Sequence, residues 1–256
     1  MDWHKRYLQQ ARWTAELRQY LFNQASLSQA DAILEVGCGT GAVLGSLNSK
    51  GFDRSNLKES ARLYGLDINA DYLQKAADFA SGVYYTLADA HQLPFQNSEF
   101  DIVYCHFLLL WVAHPEAVIE EMVRVVRPGG WVMALAEPDY GGRIDYPDSL
   151  VELGQFQERA LRAQGVETRL GRRLHALYNQ AGLVDTETGI LGAQWRAQPV
   201  AADLEQEWEV IEADLEGLIS PEELARHRRL DESAWRARER LLFVPTFYAV
   251  GRRRIE

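Results

Sequence analysis

Short apolar runs alternate along the first half of the chain with segments whose apolar residues recur at helical spacing. Five runs are predicted to be strands: Ile33–Val36, Leu63–Leu66, Val83–Leu87, Phe100–Cys105 and Trp131–Ala136. Between them, residues 42–47, Ala70–Ala80 and Glu116–Val126 are predicted to be helices. Near-continuous apolar strands separated by helices are typical of a parallel sheet that is covered on both faces. The pattern therefore predicts a doubly wound α/β fold.

The second half of the chain predicts further helices and two closing strands. The expected elements are helices Leu150–Gln164 and Arg172–Ala181, strand Leu183–Leu191, helices Asp203–Leu218 and Pro221–Leu242, and strand Thr246–Val250. Residues 201–242 thus form a helical insertion between the last two strands. Trp195, Trp208 and Trp235 lie in or beside it, and could cover a ligand pocket, form a dimer interface or form the insertion's own core.

Residues 2–22 mix charged and aromatic residues at helical spacing, which predicts an N-terminal helix. Two interpretations remain open. The helix packs on the sheet, or it acts as a lid in which Tyr7 or Trp13 closes over a ligand. Together with the insertion 201–242 it forms the helical cap of a single predicted domain, residues 1–256.

A glycine-rich stretch, Glu35-Val36-Gly37-Cys38-Gly39-Thr40-Gly41, follows the first strand directly. Glycines there allow a sharp turn and a close approach of the backbone to a ligand, which predicts a strand–loop–helix nucleotide site. The glycines alone also satisfy a loose dinucleotide fingerprint. The next acidic strand end, Asp67, lies about 26 residues beyond Gly41, against roughly 20 in dinucleotide folds.

This stretch resembles motif I of the class I S-adenosylmethionine (SAM) dependent methyltransferases. Later segments resemble the ubiquinone-biosynthesis-like branch, methyltransferase type 11: Gly65-Leu66-Asp67, Ala88-Asp89-Ala90, Phe100–Cys105 and Arg127-Pro128-Gly129-Gly130. The resemblance implies a Rossmann-like fold with a seven-stranded, mostly parallel sheet, SAM as cofactor and S-adenosylhomocysteine (SAH) as product. The residues that it places at the cofactor are Glu35, Gly37, Cys38, Gly39, Gly41, Asp67, Ile68, Asp89, Ala90 and Cys105.

Three carboxylates in this set have alternative interpretations. Glu35 orients the glycine loop or reaches the methionine end of the cofactor by resemblance, but it could simply bond backbone groups at the strand end. Asp67 suits a ribose diol, because a carboxylate only accepts hydrogen bonds, yet it could cap the following helix. By resemblance Asp89 accepts the adenine amino group, although an Asp can also form a turn with its own backbone.

The methyl acceptor is expected beyond the fourth strand. His106 is the candidate general base, or a histidine that only shapes the cleft. Candidate acceptor contacts are Trp111, Tyr140, Arg143 and Tyr146, although an ordinary loop is an equally good interpretation of residues 137–147. No metal site is predicted, because Glu137 and Asp139 lack nearby His or Cys residues at ligand spacing.

Composition limits the partners. The 256 residues carry a net charge of -10, which argues against nucleic acid as a partner. No signal peptide and no apolar run of roughly 18 residues is found, so no membrane association is expected. Two cysteines, Cys38 and Cys105, without a C-x-x-C pair fit a reducing cytoplasm. A homodimer is possible.

The sequence predicts a SAM-dependent methyltransferase that acts on a small organic acceptor. Alternatives are a non-catalytic SAM-binding protein, a methyltransferase acting on a protein substrate and, less favoured, an NAD(P)-dependent oxidoreductase. The last would need a proton donor such as Tyr-x-x-x-Lys, and no lysine follows Lys75.

Overall fold

A computed structural model describes residues 2–48, 57–192 and 201–255. Its strands are β1 (Ala32–Val36), β2 (Arg62–Asp67), β3 (Val83–Leu87), β4 (Phe100–Cys105), β5 (Val126–Pro138), β6 (Ile144–Tyr146), β7 (Val184–Ile190), β8 (Leu241–Phe243) and β9 (Thr246–Arg252). Its helices are α1 (Trp3–Trp13), α2 (Ala15–Gln24), α3 (Ala42–Asn48), α4 (Ala70–Phe79), α5 (Pro115–Val125), α6 (Val151–Ala163), α7 (Leu174–Gln180), α8 (Ala201–Leu215) and α9 (Pro221–Ala237).

Seven strands form one sheet in the order β3-β2-β1-β4-β5-β9-β7. The first five of that order pair in parallel, and β9 runs antiparallel to both β5 and β7. The predicted seven-stranded, mostly parallel α/β sheet is therefore confirmed. From β1 the chain adds β2 and β3 on one side, and it then adds β4 and β5 on the other side of β1. The gap between β1 and β4 is therefore the topological switch point, where open α/β sheets bind ligands.

The predicted N-terminal helix 2–22 is in fact two helices, α1 and α2, that meet at Thr14. The Thr14 hydroxyl donates toward the carbonyls of Gln10 and Ala11, a local side-chain bond that competes with helix continuation. The break lets α1 and α2 lie against different parts of the sheet domain.

The insertion also differs from its prediction. Helix α9 ends at Ala237 and not at Leu242, because Arg238 adopts a left-handed conformation with φ 60°. The chain then forms β8, which pairs antiparallel with β6 in a second, two-stranded sheet. The predicted start of α9 is correct: Ser220 accepts a hydrogen bond from the Glu223 amide at 3.2 Å, and Pro221 opens the helix.

The predicted turn Arg127-Pro128-Gly129-Gly130 lies inside β5 as an irregularity. Val126 pairs with Phe100 and Trp131 pairs with Ile102, so four residues of β5 face a single residue of β4. Gly129 has φ +77° there, a conformation that glycine adopts without strain.

Apolar side chains form one core cluster on each face of the sheet and a third inside the cap. The third joins Leu153 of α6, Trp208 and Ile211 of α8, and Ala234 of α9. The Trp208 indole donates to Asp231 at 2.9 Å. Of the three interpretations offered for the tryptophans, Trp208 therefore fits the insertion's own core, whereas Trp195 lies outside the described residues.

Within the described ranges, no helix is both long and apolar enough to cross a membrane.

Candidate functional site

The glycine loop between β1 and α3 is folded onto the end of β2. The amides of Gly37 and Cys38 both donate to the Leu66 carbonyl, at 2.7 and 2.9 Å. Gly37, Gly39 and Gly41 all have positive φ, between +52° and +77°. A Cβ on Gly39 would in addition lie 3.2 Å from the Tyr7 ring. The loop therefore needs glycine both for its backbone conformation and for the approach of α1.

Asp67, at the carboxyl end of β2, ties the glycine loop to the neighbouring strand. Its Oδ2 accepts from the Gly39 amide at 2.8 Å, and its Oδ1 accepts from the Asn69 amide at 2.9 Å. Asn69, and not Asp67, caps α4, because its side chain accepts from the amides of Asp71 and Tyr72. The side chain of Ile68 next to Asp67 is 71% exposed, which leaves an apolar surface beside the carboxylate.

Asp89 lies just beyond β3, the strand next to β2. Its Oδ1 accepts from the His91 amide at 2.9 Å and lies 2.6 Å from Nδ1 of the His91 ring. These two hydrogen bonds lower the pKa of Asp89. The contacts match the turn-forming interpretation, but the carboxylate is exposed and Ala90 beside it is buried.

Glu35 points into the interior and not into the loop. Its carboxylate accepts from the Tyr104 hydroxyl at 3.2 Å and from the Leu44 amide in the first turn of α3. Burial raises the pKa of Glu35 to about 8, although the Tyr104 hydrogen bond and the charge of Arg18 both oppose that rise. The contacts are those of a carboxylate that braces backbone and core.

Helix α1 covers the glycine loop. His4 Nδ1 lies 2.8 Å from the Thr40 hydroxyl, and the Tyr7 ring lies over Gly39 and meets the Tyr72 ring edge-on at 5.9 Å. Burial raises the pKa of Tyr7, so its phenol stays neutral. Trp13 is exposed, with the Arg6 guanidinium over its ring. Of the two lid residues named from the sequence, Tyr7 is therefore the one at the loop.

His106 follows β4 and contacts the break between α1 and α2. Its Nε2 lies 2.9 Å from the Thr14 hydroxyl, which also accepts a hydrogen bond from buried Arg18. Burial, and secondarily the charge of Arg18, lowers the pKa of His106 well below 6.5. The imidazole is thus neutral at pH 7. Thr14 and Arg18 could not be predicted from the sequence, because about 90 residues separate them from His106 and no local pattern links them.

Glu137, at the end of β5, holds the segment that follows His106. Its carboxylate accepts from the amides of Leu108 and Leu109 at 3.0 Å and from that of Leu110 at 3.2 Å. Burial raises the pKa of Glu137 to about 7, although the hydrogen bonds from these amides act to lower it. The sequence signal for this role is an acid placed directly after a buried strand.

The four candidate acceptor contacts differ in exposure. Arg143 is buried and bonded to Asp145 at 2.6 Å and to Gln157. Tyr140 is partly buried, and burial raises its pKa to about 12. Trp111 and Tyr146 are exposed. Because β6 pairs with β8, residues 144–146 belong to the cap sheet, and the guanidinium of Arg143 is already engaged there.

Both cysteines are buried free thiols. Cys38 lies in the glycine loop, and the Cys105 sulfur is 3.9 Å from the Glu137 carboxylate. Burial raises the pKa of each thiol well above its usual value, so neither is an activated nucleophile.

Comparison with known proteins decides between the nucleotide-binding families. Residues 34–134 match the family model of a methyltransferase domain. Residues 34–134 therefore resemble the methyltransferase domain of this family. Proteins of this family use SAM, and the matched range contains every residue assigned above to the cofactor.

Two curated relatives illustrate the match. A malonyl-[acyl-carrier protein] O-methyltransferase of Marinomonas sp. is 33% identical over 110 residues, which are 42% of this chain and 38% of the relative. The ubiquinone/menaquinone biosynthesis C-methyltransferase UbiE of Neisseria meningitidis is 32% identical over 122 residues, 46% and 47% of the two chains. The chain thus spans less than half the length of these relatives.

Solved structures share the fold across nearly the whole chain. YcgJ from Bacillus subtilis superposes with a TM-score of 0.58 at 15% identity, covering 93% of this chain and 98% of its own. A putative sarcosine dimethylglycine methyltransferase from Galdieria sulphuraria gives a TM-score of 0.56 at 17% identity, covering 96% and 86%. The shared fold therefore extends beyond the matched range 34–134.

Proposed function

We propose that this protein transfers the methyl group of SAM to a small organic acceptor. The observation that carries the proposal is the glycine loop, closed by the Asp67–Gly39 hydrogen bond at the switch point of the sheet and covered by α1. This arrangement brings a close-approach backbone and an acceptor-only carboxylate to one edge of the sheet.

The residues present fit SAM. Asp67 uses each oxygen once for a backbone amide, and a carboxylate has about four lone-pair sites, so it can still accept from both ribose hydroxyls. Exposed Ile68 offers apolar surface for the base, and Asp89 an acceptor for its amino group, with Ala90 alongside. The methionine portion would lie along Gly37, Gly39 and Gly41 and beside Cys38, while Glu35 would hold the first turn of α3 through the Leu44 amide.

When bound, SAM supplies an electrophilic methyl group on its sulfonium. The chain's own contribution is to orient the acceptor and exclude water. Tyr7 covers the loop, and Glu137 fixes the backbone of residues 108–110 beside His106. A proton taken from the acceptor by His106 would go to Nδ1, since Thr14 occupies Nε2. The nearby charge of Arg18 opposes that protonation, so His106 would be a weak base.

The acceptor class rests on two observations. The named relatives methylate oxygen on a carrier-bound malonyl group and carbon in quinone biosynthesis. The net charge of -10 disfavours nucleic acid. Trp111, Tyr140 and Tyr146 remain the candidate contacts for the acceptor, and Arg143 would act by holding this loop in place.

Calorimetric titration with SAH, SAM and NAD(P)H tests the cofactor assignment. We expect SAH to bind, NAD(P)H not to bind, and Asp67→Ala to weaken SAH binding about tenfold or more, since 1.4 kcal/mol suffices for that factor. Asp71→Ala, an exposed acid in the first turn of α4, is the matched control and should leave SAH affinity unchanged. Preferential binding of NAD(P)H would refute the assignment.

Turnover with a panel of hydroxyl, amine and activated-carbon acceptors then tests the reaction. If His106 accepts the proton, the acid limb of kcat lies well below pH 6.5, the direction in which its pKa is displaced, and His106→Gln removes that limb. An unchanged pH profile in His106→Gln leaves His106 as a cleft-shaping residue. SAH binding without turnover on any acceptor would favour a non-catalytic SAM-binding protein.

A further inference from the structure

Three metal-ligating side chains, those of Glu152, Glu223 and His227, meet between α6 and the cap helix α9. Glu152 lies in the first turn of α6, and Glu223 and His227 are four residues apart on α9. One ligand atom from each lies within 4.8 Å of the others, and His227 Nε2 is 3.8 Å from a Glu152 oxygen. Residues four apart on a helix project from the same face, so α9 presents both of its ligands toward α6.

His227 is the unusual member of the cluster. Its side chain is 0% exposed, yet neither ring nitrogen makes a hydrogen bond to any described residue. A buried polar group without a partner costs about 1–3 kcal/mol, and such groups are rare in folded proteins. The Phe156 ring packs edge-on against the imidazole at 5.8 Å, so apolar packing holds the ring while its nitrogens lack partners.

The surrounding charges suit a cation. The carboxylates of Glu152 and Glu223 both lie close to the His227 ring. The Glu152 carboxylate is 54% exposed, so an ion can reach the cluster from solvent. The 3.8 Å separation is too long for a hydrogen bond, and small rotations of the two glutamate side chains would bring three ligands to the roughly 2 Å bonds of zinc.

We propose that Glu152, Glu223 and His227 bind a divalent transition-metal ion of the Zn²⁺ class, with water completing the coordination. An imidazole donor favours Zn²⁺ and its neighbours over Mg²⁺ and Ca²⁺, which prefer oxygen ligands alone. The ion would link the start of α6 to α9 and so stabilise the cap. The proposal is independent of the methyl-transfer activity.

Titration of the metal-free full chain with Zn²⁺, in competition with a chromophoric chelator, tests the proposal. We expect one Zn²⁺ per chain, a higher Tm with the metal, and visible d–d absorption bands when Co²⁺ is used instead. Glu152→Gln and Glu223→Gln should each weaken Zn²⁺ binding about tenfold or more and remove the Tm increase, since one lost ligand costs more than 1.4 kcal/mol. Glu222→Gln, an exposed neighbour on the same turn of α9, should behave like the unchanged chain.

His227 is buried, so His227→Gln could lose Zn²⁺ binding simply by misfolding. Glu152→Gln alters a half-exposed side chain and should fold normally, so the glutamate variants decide the test. Absence of stoichiometric Zn²⁺ binding would overturn the proposal. So would unchanged affinity in both glutamate variants. His91 and His114 form another histidine pair, with ring centroids 6.1 Å apart. If His91→Gln or His114→Gln abolished Zn²⁺ binding while Glu152→Gln did not, the ion would bind at that pair and the proposal would be refuted.

Discussion

Different neighbours leave too little room for a Cβ atom at Gly37 and at Gly39, in the loop between β1 and α3. A Cβ on Gly37 would meet the Leu108 side chain at 2.6 Å, and one on Gly39 would meet the Tyr7 ring at 3.2 Å. Leu108 is held through its backbone by Glu137, and Tyr7 belongs to α1. These two residues therefore connect the loop conformation to the elements that surround the proposed cofactor site.

Gly39→Ala tests this connection at the residue scale. The substitution should weaken SAH binding about tenfold or more, because alanine at φ +52° is strained and its Cβ would displace Tyr7. Gly165→Ala is the matched control: Gly165 also has positive φ, +85°, but a Cβ there meets nothing within 4 Å. Both variants should lose about 1–2 kcal/mol of stability from the left-handed backbone. Equal SAH affinity of the two variants would contradict the role given to Gly39.

At the scale of elements, the segment after β4 depends on one carboxylate from β5. The backbone amides of residues 108–110 all donate to Glu137, and the Phe107 amide donates to the Ala136 carbonyl at 2.9 Å. Phe107 itself has a positive φ of 55°, which is uncommon for an aromatic residue. The end of β5 thus determines the path of the chain beside His106.

Glu137→Gln should destabilise the protein by about 1–3 kcal/mol, since its NH₂ group cannot accept from a third amide. It should also change the pH dependence. Folded Glu137 keeps its proton up to about pH 7, whereas an ordinary glutamate releases it near 4.5. Unfolding therefore releases a proton between these values, and the free energy of unfolding falls by about 1 kcal/mol per pH unit as pH rises.

Urea denaturation between pH 4.5 and 7 measures this effect. The Glu137→Gln variant should show a shallower fall than the unchanged chain. Some slope will remain in the variant, because the pKa of Glu35 is raised to about 8 and acts with the same sign. Parallel pH profiles for the two proteins would mean that Glu137 stays ionised in the folded state throughout this range.

Elements whose signal is local could be predicted from the sequence. The strand bounds of β3 and β4 are as predicted, because apolar runs bounded by turn residues identify buried strands. The β6–β8 pair was missed, since strands of three residues have no periodicity and depend on a partner about 100 residues away. The site follows the same division: Asp67 and the glycines are adjacent to strand ends, whereas the Thr14–His106 contact exists only in the folded chain.

At the scale of the whole molecule, the two predicted parts of the cap contact each other. Arg6 of α1 pairs with Glu207 of α8 at 2.7 Å, and Arg12 pairs with Asp203 at 3.1 Å. The helix that covers the glycine loop is thus connected to the insertion. The insertion in turn is tied to the chain after β5 through β6 and β8, so the cap joins the glycine loop to the candidate acceptor loop.

A buried ion-pair network stabilises the contact between the insertion and the chain after β5. Arg240 pairs with Asp145 at 2.8 Å and with Asp231 at 2.6 Å, and its side chain is 1% exposed. Asp145 also pairs with Arg143, and Asp231 accepts from Trp208. Removing one charge from such a network leaves the others buried and uncompensated, which costs about 3–5 kcal/mol.

Arg240→Met should therefore lower the free energy of unfolding by about 3–5 kcal/mol. Arg228→Met is the control, because Arg228 pairs with three carboxylates, those of Glu205, Glu212 and Glu232, but is 30% exposed. Pairs near solvent contribute about 0–1 kcal/mol each, so its loss should be smaller. Urea denaturation of both variants provides the comparison. Equal losses in the two variants would contradict the larger contribution assigned to the buried Arg240 network.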